Sequence, residues 1–377
     1  MQHVETPAAP VIKVDGREIL SFGGCSYLGL ANLPEILSAG QAALGDLGAT
    51  AQLPRHYGFQ SPANLAAEEA ARQFFGAEDA MYFSTGYLFP LIALPALADD
   101  FDVVVLDETA HFCLTEGARA AGKEVRTFGH CDAEDLARVT ASIVSGNQRY
   151  AVATDGCFPT FGRVPPLRRY AEIVAEHDAR LIVDESHSFG SVGKTGRGAC
   201  EHEGILGLKN VVAGGSASKG LGAFGGLAIG SSDAIARLWQ APAARGAALG
   251  ISAGAAMLSA SLGYLREHPE RFTWLQDNAN RMREGLKTLG ISCYDTPAPI
   301  FAFTCGSATQ MRSIQSGLYD EGIFIIYSNY VGAGPEGTLR IAVFATHEPD
   351  HITRLLASLR RHLEAIKSKN HQEHLVQ

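Results

Sequence analysis

The sequence predicts an α/β protein, with a large domain on a mainly parallel central sheet and a smaller α+β domain after it. Three observations carry that prediction. Short, nearly continuous apolar runs recur at residues 80–83, 103–106, 150–154, 181–183, 210–213 and 226–229, the pattern of strands covered on both faces. Longer helical patterns such as Pro62–Phe75 and residues 166–177 separate them, and such alternation builds sheets whose ligands gather beyond the carboxyl ends of the strands. After about residue 248 the texture changes to a long helical stretch reaching residue 289, strands near 300–304, 323–326 and 338–342, and a final helix over 349–366.

At 377 residues the chain exceeds what one hydrophobic core usually serves, which supports the division into lobes. Residues 1–45 are expected as an N-terminal segment packing on the small domain through the runs at Val11–Val14 and 18–22. The large domain is expected over 46–248, the small domain over 249–367, and a frayed polar tail over 368–377. A formal net charge of -9 argues against nucleic acid as the main partner, because phosphate binding needs a basic excess. An anionic ligand therefore needs local dipoles and single cations. The seven cysteines are scattered with no C-x-x-C pair, so reduced thiols and no metal site are expected. The first residues lack a basic stretch followed by an apolar one, and no apolar run approaches a membrane span, which makes the cytoplasm the expected address.

The strand exits hold the chemistry. They read Ser84-Thr85-Gly86-Tyr87, Asp107-Glu108 with His111, Asp155-Gly156, Asp184-Glu185-Ser186-His187 and Ser216-Ala217-Ser218-Lys219. Ser84-Thr85-Gly86 opens a helix directly after a strand, so its free N–H groups offer a phosphate seat; taken alone it reads more readily as a helix cap. Asp184 ends an apolar run, where a carboxylate is costly unless something cationic meets it. A protonated pyridine nitrogen would serve, as would a structural ion pair or, less readily, half of a metal site. Lys219 lies in a run of small residues, from Gly214 to Gly226, that lets backbone and ligand approach closely. Most loop lysines are surface cations. One placed straight after a buried strand, between Ser216, Ser218 and glycines, can instead be a Schiff-base nucleophile.

Taken together, these motifs resemble the α-oxoamine synthases, which are fold-type-I pyridoxal-phosphate (PLP) enzymes of the aminotransferase kind. The resemblance rests on Phe83-Ser84-Thr85-Gly86-Tyr87, Asp107-Glu108-x-x-His111, Val183-Asp184-Glu185-Ser186-His187-Ser188-x-Gly190, Gly193-x-x-Gly196-Arg197-Gly198, the Lys219 loop and Leu339-Arg340-Ile341, in that order from about residue 16 to residue 363. It implies an aminotransferase-like large domain and PLP bound covalently, as an aldimine, at Lys219. It further implies that Asp184 pairs with the pyridinium nitrogen, that His187 contacts the 3-oxygen, and that His111 stacks on the ring; by sequence alone His111 reads equally as a core histidine. Thr85, Gly86 and Tyr87, with Ser216 and its neighbour Ser218, match positions that hold the phosphate or ring edge. Ser252 falls in a stretch that in the family reaches across a dimer interface, so a homodimer is implied. Arg340 matches the arginine that takes the substrate carboxylate.

The substrate side departs from the family. Cys25-Ser26-Tyr27-Leu28-Gly29 stands where Asn-Asp-Tyr-Leu-Gly is common, which leaves Cys25 and Ser26 at the substrate position without the usual amide. Gly48-Ala49-Thr50-Ala51-Gln52-Leu53-Pro54-Arg55-His56 replaces a Gly-Gly-Ser-Arg run, and Pro159-Thr160-Phe161-Gly162 replaces Ser-Met-Asp-Gly. The reaction implied by the resemblance is condensation of an amino acid with an acyl-CoA thioester, with loss of CO₂, to an α-aminoketone. Arg55, Arg163, Arg168 and Arg169 are candidate cations for the CoA phosphates. The rival readings are a PLP enzyme that uses no acyl-CoA (racemase, aldolase, decarboxylase, aminotransferase or another carbon–carbon bond former) and a catalytically silent partner subunit.

Overall fold

A computed structural model describes residues 2–49, 55–246 and 250–375 of the chain. The altered stretch at 50–54 and the expected boundary at residue 248 lie outside the described residues. The strands, in chain order, are β1 (Val11–Val14), β2 (Arg17–Ser21), β3 (Asp79–Phe83), β4 (Val103–Asp107), β5 (Glu124–Phe128), β6 (Tyr150–Asp155), β7 (Arg180–Asp184), β8 (Val211–Ser216), β9 (Gly226–Gly230), β10 (Ile300–Phe303), β11 (Ile323–Phe324), β12 (Ile326–Ser328) and β13 (Thr338–Ala342). Two compact units contain them: one of residues 30–158 and 164–269, the other of 1–29, 159–163 and 270–377.

The first unit is built on a seven-stranded sheet of order β3-β9-β8-β7-β6-β4-β5. β5, β4, β6, β7 and β8 run parallel, while β9 is antiparallel to both β8 and β3. The predicted fold class is the one observed. The continuous apolar runs do what their composition dictates: every residue of β4 and β6 is buried, and each Val, Leu or Ile so placed contributes about 1.5–3 kcal/mol relative to exposure. Helices on the two faces start and stop on local signals. Pro62–Phe75 has proline in its first turn and ends at Gly76 in the left-handed conformation (φ 67°), a conformation that favours glycine. The helix Ala133–Ser145 is capped by Asp132, whose carboxylate accepts from the N–H groups of Glu134 and Asp135.

The unit boundaries differ from those expected, and small residues explain why. The helix Pro34–Leu47, expected with the N-terminal segment, packs on Ser252–Glu267 within the first unit. A Cβ on Gly40 would lie 2.9 Å from Met257 Cγ, so the glycine lets the two helices meet without the methionine side chain moving aside. Ser252–Glu267 stays with the same unit, its Ser261 hydroxyl donating to Leu221 O at 2.5 Å. The small domain expected from residue 249 therefore begins at 270.

The second unit holds two three-stranded sheets. In one, β1 and β2 are antiparallel and β2 pairs in parallel with β11; in the other, β13 lies between β10 and β12, antiparallel to both. Leu20, Phe22, Met282, Phe301, Ile314 and Leu355 are among the side chains of its core. Buried His347 stacks on Phe22 with ring centroids 4.2 Å apart. Its Nδ1 accepts from Phe344 N (2.9 Å) and its Nε2 lies 3.0 Å from the Ser21 carbonyl, so the neutral ring donates from Nε2. Burial pushes this imidazole down to about 4. The segment Pro159-Thr160-Phe161-Gly162 belongs here too. Thr160 Oγ1 donates to Val331 O at 2.6 Å, and Gly162 (φ 66°) lies where a Cβ would come within 2.9 Å of Ile300. The last helix, Pro349–Leu375, keeps its backbone helical through residues 368–375 of the expected tail, which contain no proline or glycine.

Candidate active site

Register brings the strand exits into line. Asp155 at the end of β6 pairs with Asp184 at the end of β7, and Asp184 pairs with Gly214 of β8. Beyond them lies a cavity of about 250 Å³ lined by Thr85, Tyr87, His111, Cys113, Asp155, Asp184, Ser186, His187, Ser216 and Lys219. Seven of the residues singled out in the sequence thus share one cavity.

Lys219 stands in the loop joining β8 to its antiparallel neighbour β9. That loop is fixed by hydrogen bonds from Ala217 N to Gly225 O and from Ala223 N to Ala217 O. It is also pressed onto the residues after β7, where a Cβ on Gly220 would sit 2.2 Å from Phe189 O. Lys219 Nζ lies 2.8 Å from His187 Nε2. Gly86 lets the Thr85–Tyr87 turn settle on the end of β8, since a Cβ there would fall 2.3 Å from Ser216 Cα. Ser216 Oγ in turn lies 2.7 Å from Ser218 Oγ. Tyr87 donates its hydroxyl to Glu116 at 2.6 Å.

Asp184 is 3% exposed. Its Oδ1 accepts from Ser186 N (2.9 Å) and its Oδ2 from the Cys113 thiol (3.3 Å), and among the described residues no arginine or lysine pairs with it. Burial, and then the Asp184 charge, push the neighbouring Asp155 carboxyl well above the usual carboxylate range. His111 caps the helix Phe112–Ala120: its backbone N–H donates to Asp155 Oδ2 (2.9 Å), and its ring Nδ1 accepts from Cys113 N (3.3 Å). A neutral His111 ring therefore carries its hydrogen on Nε2. Burial holds this imidazole below the usual histidine range; Asp184 acts against that and Lys219 with it.

Sequence reasoning gave Asp155 and Ser186 no role and read Cys113 as one more scattered thiol. The signal for Asp155 was its place at a strand exit; for Cys113 only its spacing of two from His111 pointed to the site. Ser218 is exposed beside Ser216 and does not line the cavity. Ser252 is buried at the first turn of its helix, away from the cavity lining. Arg340, Cys25 and Ser26 belong to the other unit, where Arg340 is buried on β13 with Nε donating to Pro159 O at 2.8 Å. Two of the candidate CoA cations are committed locally. Arg55 holds Glu68 through two bonds of 2.7 and 2.8 Å and lies over Trp239, and Arg169 pairs with Glu172. Arg163 lies over Tyr294, with ring centroid 4.7 Å away.

Asp107, His130 and Cys131 converge closely enough to suggest a metal site. The Asp107 oxygens, however, accept from Thr109 N and Oγ1, His130 Nδ1 and Cys131 N. A carboxylate so fully supplied with donors anchors the turn that leads to His111 and leaves little for a cation.

The cavity fits PLP on its own chemistry. It is lined by a buried carboxylate with no cationic partner among the described residues, by an amine and two imidazoles, and by the Thr85 and Ser216 hydroxyls. Residues 17–359 match the family described as aminotransferase class I and II. The chain is similar to 8-amino-7-oxononanoate synthase of Methylococcus capsulatus, 33% identical over 94% of this chain and 92% of that protein. It is similar also to the synthase of that name from Cellvibrio japonicus, 32% identical over 94% and 89%. Among solved structures, serine palmitoyltransferase from S. paucimobilis with a bound PLP-myriocin aldimine matches with TM-score 0.90 and 25% identity, over 98% of this chain and 93% of that one. No helix among the described residues is long and apolar enough to cross a membrane.

Proposed function

Because the chain belongs to the aminotransferase class I and II family, and within it to the α-oxoamine synthases, we propose that it joins an amino acid to an acyl-CoA thioester with loss of CO₂, yielding an α-aminoketone. The observation that carries this reading is the single cavity in which Lys219 Nζ lies 2.8 Å from His187 Nε2, above a buried Asp184.

PLP, when bound, supplies an electron sink for charge developing at the amino acid's Cα. Each residue's task follows from its place. Lys219 would hold the cofactor through Nζ, and the same amine, 2.8 Å from His187 Nε2, would serve as the base for the Cα proton. Asp184 would pair with the ring nitrogen and favour a proton there. His187 would hold Lys219 Nζ and contact the ring's 3-oxygen. His111 would stack on the ring face as a neutral imidazole with its hydrogen on Nε2 and its Nδ1 held by the Cys113 N–H. Thr85, Gly86, Tyr87 and Ser216, with neighbouring Ser218, would hold the phosphate, and Ser252, which does not line this cavity, would serve it only from the second subunit of a homodimer. Arg340 would take the substrate carboxylate, its guanidinium suited to a bidentate grip, and Cys25 and Ser26 stand at positions that the resemblance gives to substrate.

The same reading makes the protein a cytoplasmic homodimer. Support comes from seven free cysteines, which suit a reducing compartment. Purified protein given PLP, amino acids and a panel of acyl-CoAs is expected to release CoA thiol and CO₂ in equal amounts. Amino-acid turnover that needs no thioester, with no thiol released by any pair, would overturn the proposal.

A further inference from the structure

Cys113 enters neither the motifs nor the reaction as described, yet it touches both side chains that meet the cofactor ring from within the protein. It is 1% exposed and lines the cavity. Its Sγ lies 2.9 Å from His111 Nδ1 and 3.3 Å from Asp184 Oδ2, and its backbone N–H points at that same Nδ1 from 3.3 Å.

These contacts decide where the protons sit. Nδ1 cannot carry hydrogen without setting donor against donor at the Cys113 N–H, so Nδ1 is the acceptor. The thiol has one hydrogen and two acceptors in reach, of which the Asp184 carboxylate is the charged one and makes the stronger bond. Burial, reinforced by the charges of Asp184 and Asp155, pushes the thiol far above the ordinary range. It therefore remains a donor at any working pH. On the other side of the same short segment, His111 N donates to Asp155 Oδ2. The stretch His111–Cys113 is thus a clip across the ends of β6 and β7, tied to one carboxylate by its first residue and to the other by its last. The charged groups facing it are Asp184, Asp155, Lys219 and Glu116.

We propose that Cys113 is a positioning residue: its thiol fixes the Asp184 carboxylate that meets the ring nitrogen, while its N–H fixes the tautomer and tilt of the His111 ring above the cofactor. The inference rests on the PLP reading. Without the thiol, Asp184 loses one of its two described donors and can rotate, and His111 loses the atom that backs its ring. The backbone N–H survives any ordinary substitution, so the thiol's share can be isolated. Serine keeps a donor at this position; valine keeps the volume and removes the donor; alanine removes both.

The test uses the holoprotein and three readouts that need no turnover: the PLP dissociation constant by absorbance titration, the circular dichroism of the cofactor band, and the pH midpoint of that band. Cys113→Val and Cys113→Ala are expected to bind PLP about tenfold or more weakly, as loss of a hydrogen bond to a charged group implies, and to alter the cofactor dichroism and the pH midpoint. Cys113→Ser is expected to stay within about threefold of the unmodified protein. Should the valine variant fail to fold by far-ultraviolet dichroism, the alanine and serine pair carries the same comparison. If the unmodified protein takes up no PLP, the cofactor reading falls and the inference with it. If it does take up PLP and the valine or alanine variant matches it on all three readouts, the inference alone is overturned. A serine variant as impaired as the variants without a donor would reduce Cys113 to packing and overturn it equally.

Discussion

Asp184→Asn separates what the buried carboxylate does for the cofactor from what it does to the fold. The side chain is 3% exposed, sits beside Asp155 in register and, among the described residues, receives only Ser186 N and the Cys113 thiol. In the protein without PLP it is a desolvated charge next to a second carboxyl group. Asparagine keeps the shape and can still accept from Ser186 N, so the substitution removes a charge without opening a cavity. An unpaired buried charge carries a desolvation cost of roughly several kcal/mol, part of which the neutral amide recovers. At about 2–4 °C per kcal/mol for a domain of this size, the melting temperature of the PLP-free protein should rise by several degrees. With PLP the sign reverses. Removing one partner of a buried ion pair costs about 3–5 kcal/mol, or roughly a hundredfold to several-thousandfold in PLP affinity. Scanning calorimetry without PLP and absorbance titration with it measure the two effects on one preparation. A variant that melts lower than the unmodified protein without PLP, or that binds PLP within about threefold of it, would refute the assignment of Asp184 as a carboxylate held charged for the cofactor.

Lys219→Ala should leave the fold unchanged and abolish the visible band that PLP gives with the protein; a variant that keeps the band under the same conditions removes Lys219 from the covalent role. Gly220→Ala sets a Cβ 2.2 Å from Phe189 O, backbone against backbone, so the loop must shift. A loss of covalent PLP capture exceeding tenfold is expected, and unchanged capture kinetics would show that the loop's seat does not place Lys219. Arg340→Lys should raise the KM for the amino acid by about tenfold or more while changing kcat less, because a point charge replaces a fork; equal loss in both terms contradicts a carboxylate grip. His347 sets an acid limit on stability. Its pKa of about 4 in the fold lies below the ordinary histidine value of about 6.5, so the unfolded chain binds the extra proton first and stability falls as pH drops from about 6.5 to 4, by about 3 kcal/mol in all. The raised carboxyls of Asp155, Glu68 and Glu185 work in the opposite sense. Denaturant midpoints of His347→Gln should therefore flatten over that window, and an acid limb parallel to the unmodified protein's would exclude His347 as its source.

The parts of the site legible in the sequence are those where a continuous apolar run meets a polar residue. Val183-Asp184, Phe83-Ser84 and the Gly-Gly-Ser before Lys219 mark strand ends because a fully covered strand can stop only there. β5 escaped notice because Glu124–Phe128 is an edge strand of mostly exposed or half-buried residues, with no apolar run to betray it. Cys113 escaped because its role depends on a carboxylate far away in the chain and close only in the folded sheet. The boundary between the units was misplaced for a similar reason. Gly40 and Met257 belong together through a contact distance, whereas composition and period describe each helix alone.

Among the described residues β3 pairs only with β9, from Phe83 opposite Gly226 to Asp79 opposite Gly230, and the loop bearing Lys219 lies just before β9. During synthesis, then, an apolar strand made early must wait, unpaired, for one made some 140 residues later. Throughout that interval its exposed edge is open to other chains and is a natural client for chaperones. Because β9 bonds both β8 and β3, the sheet is complete only when the loop bearing Lys219 is held at both ends. A chain that has failed to finish folding has accordingly failed also to assemble its chemistry, so a half-made molecule has no seat in which to capture a reactive aldehyde.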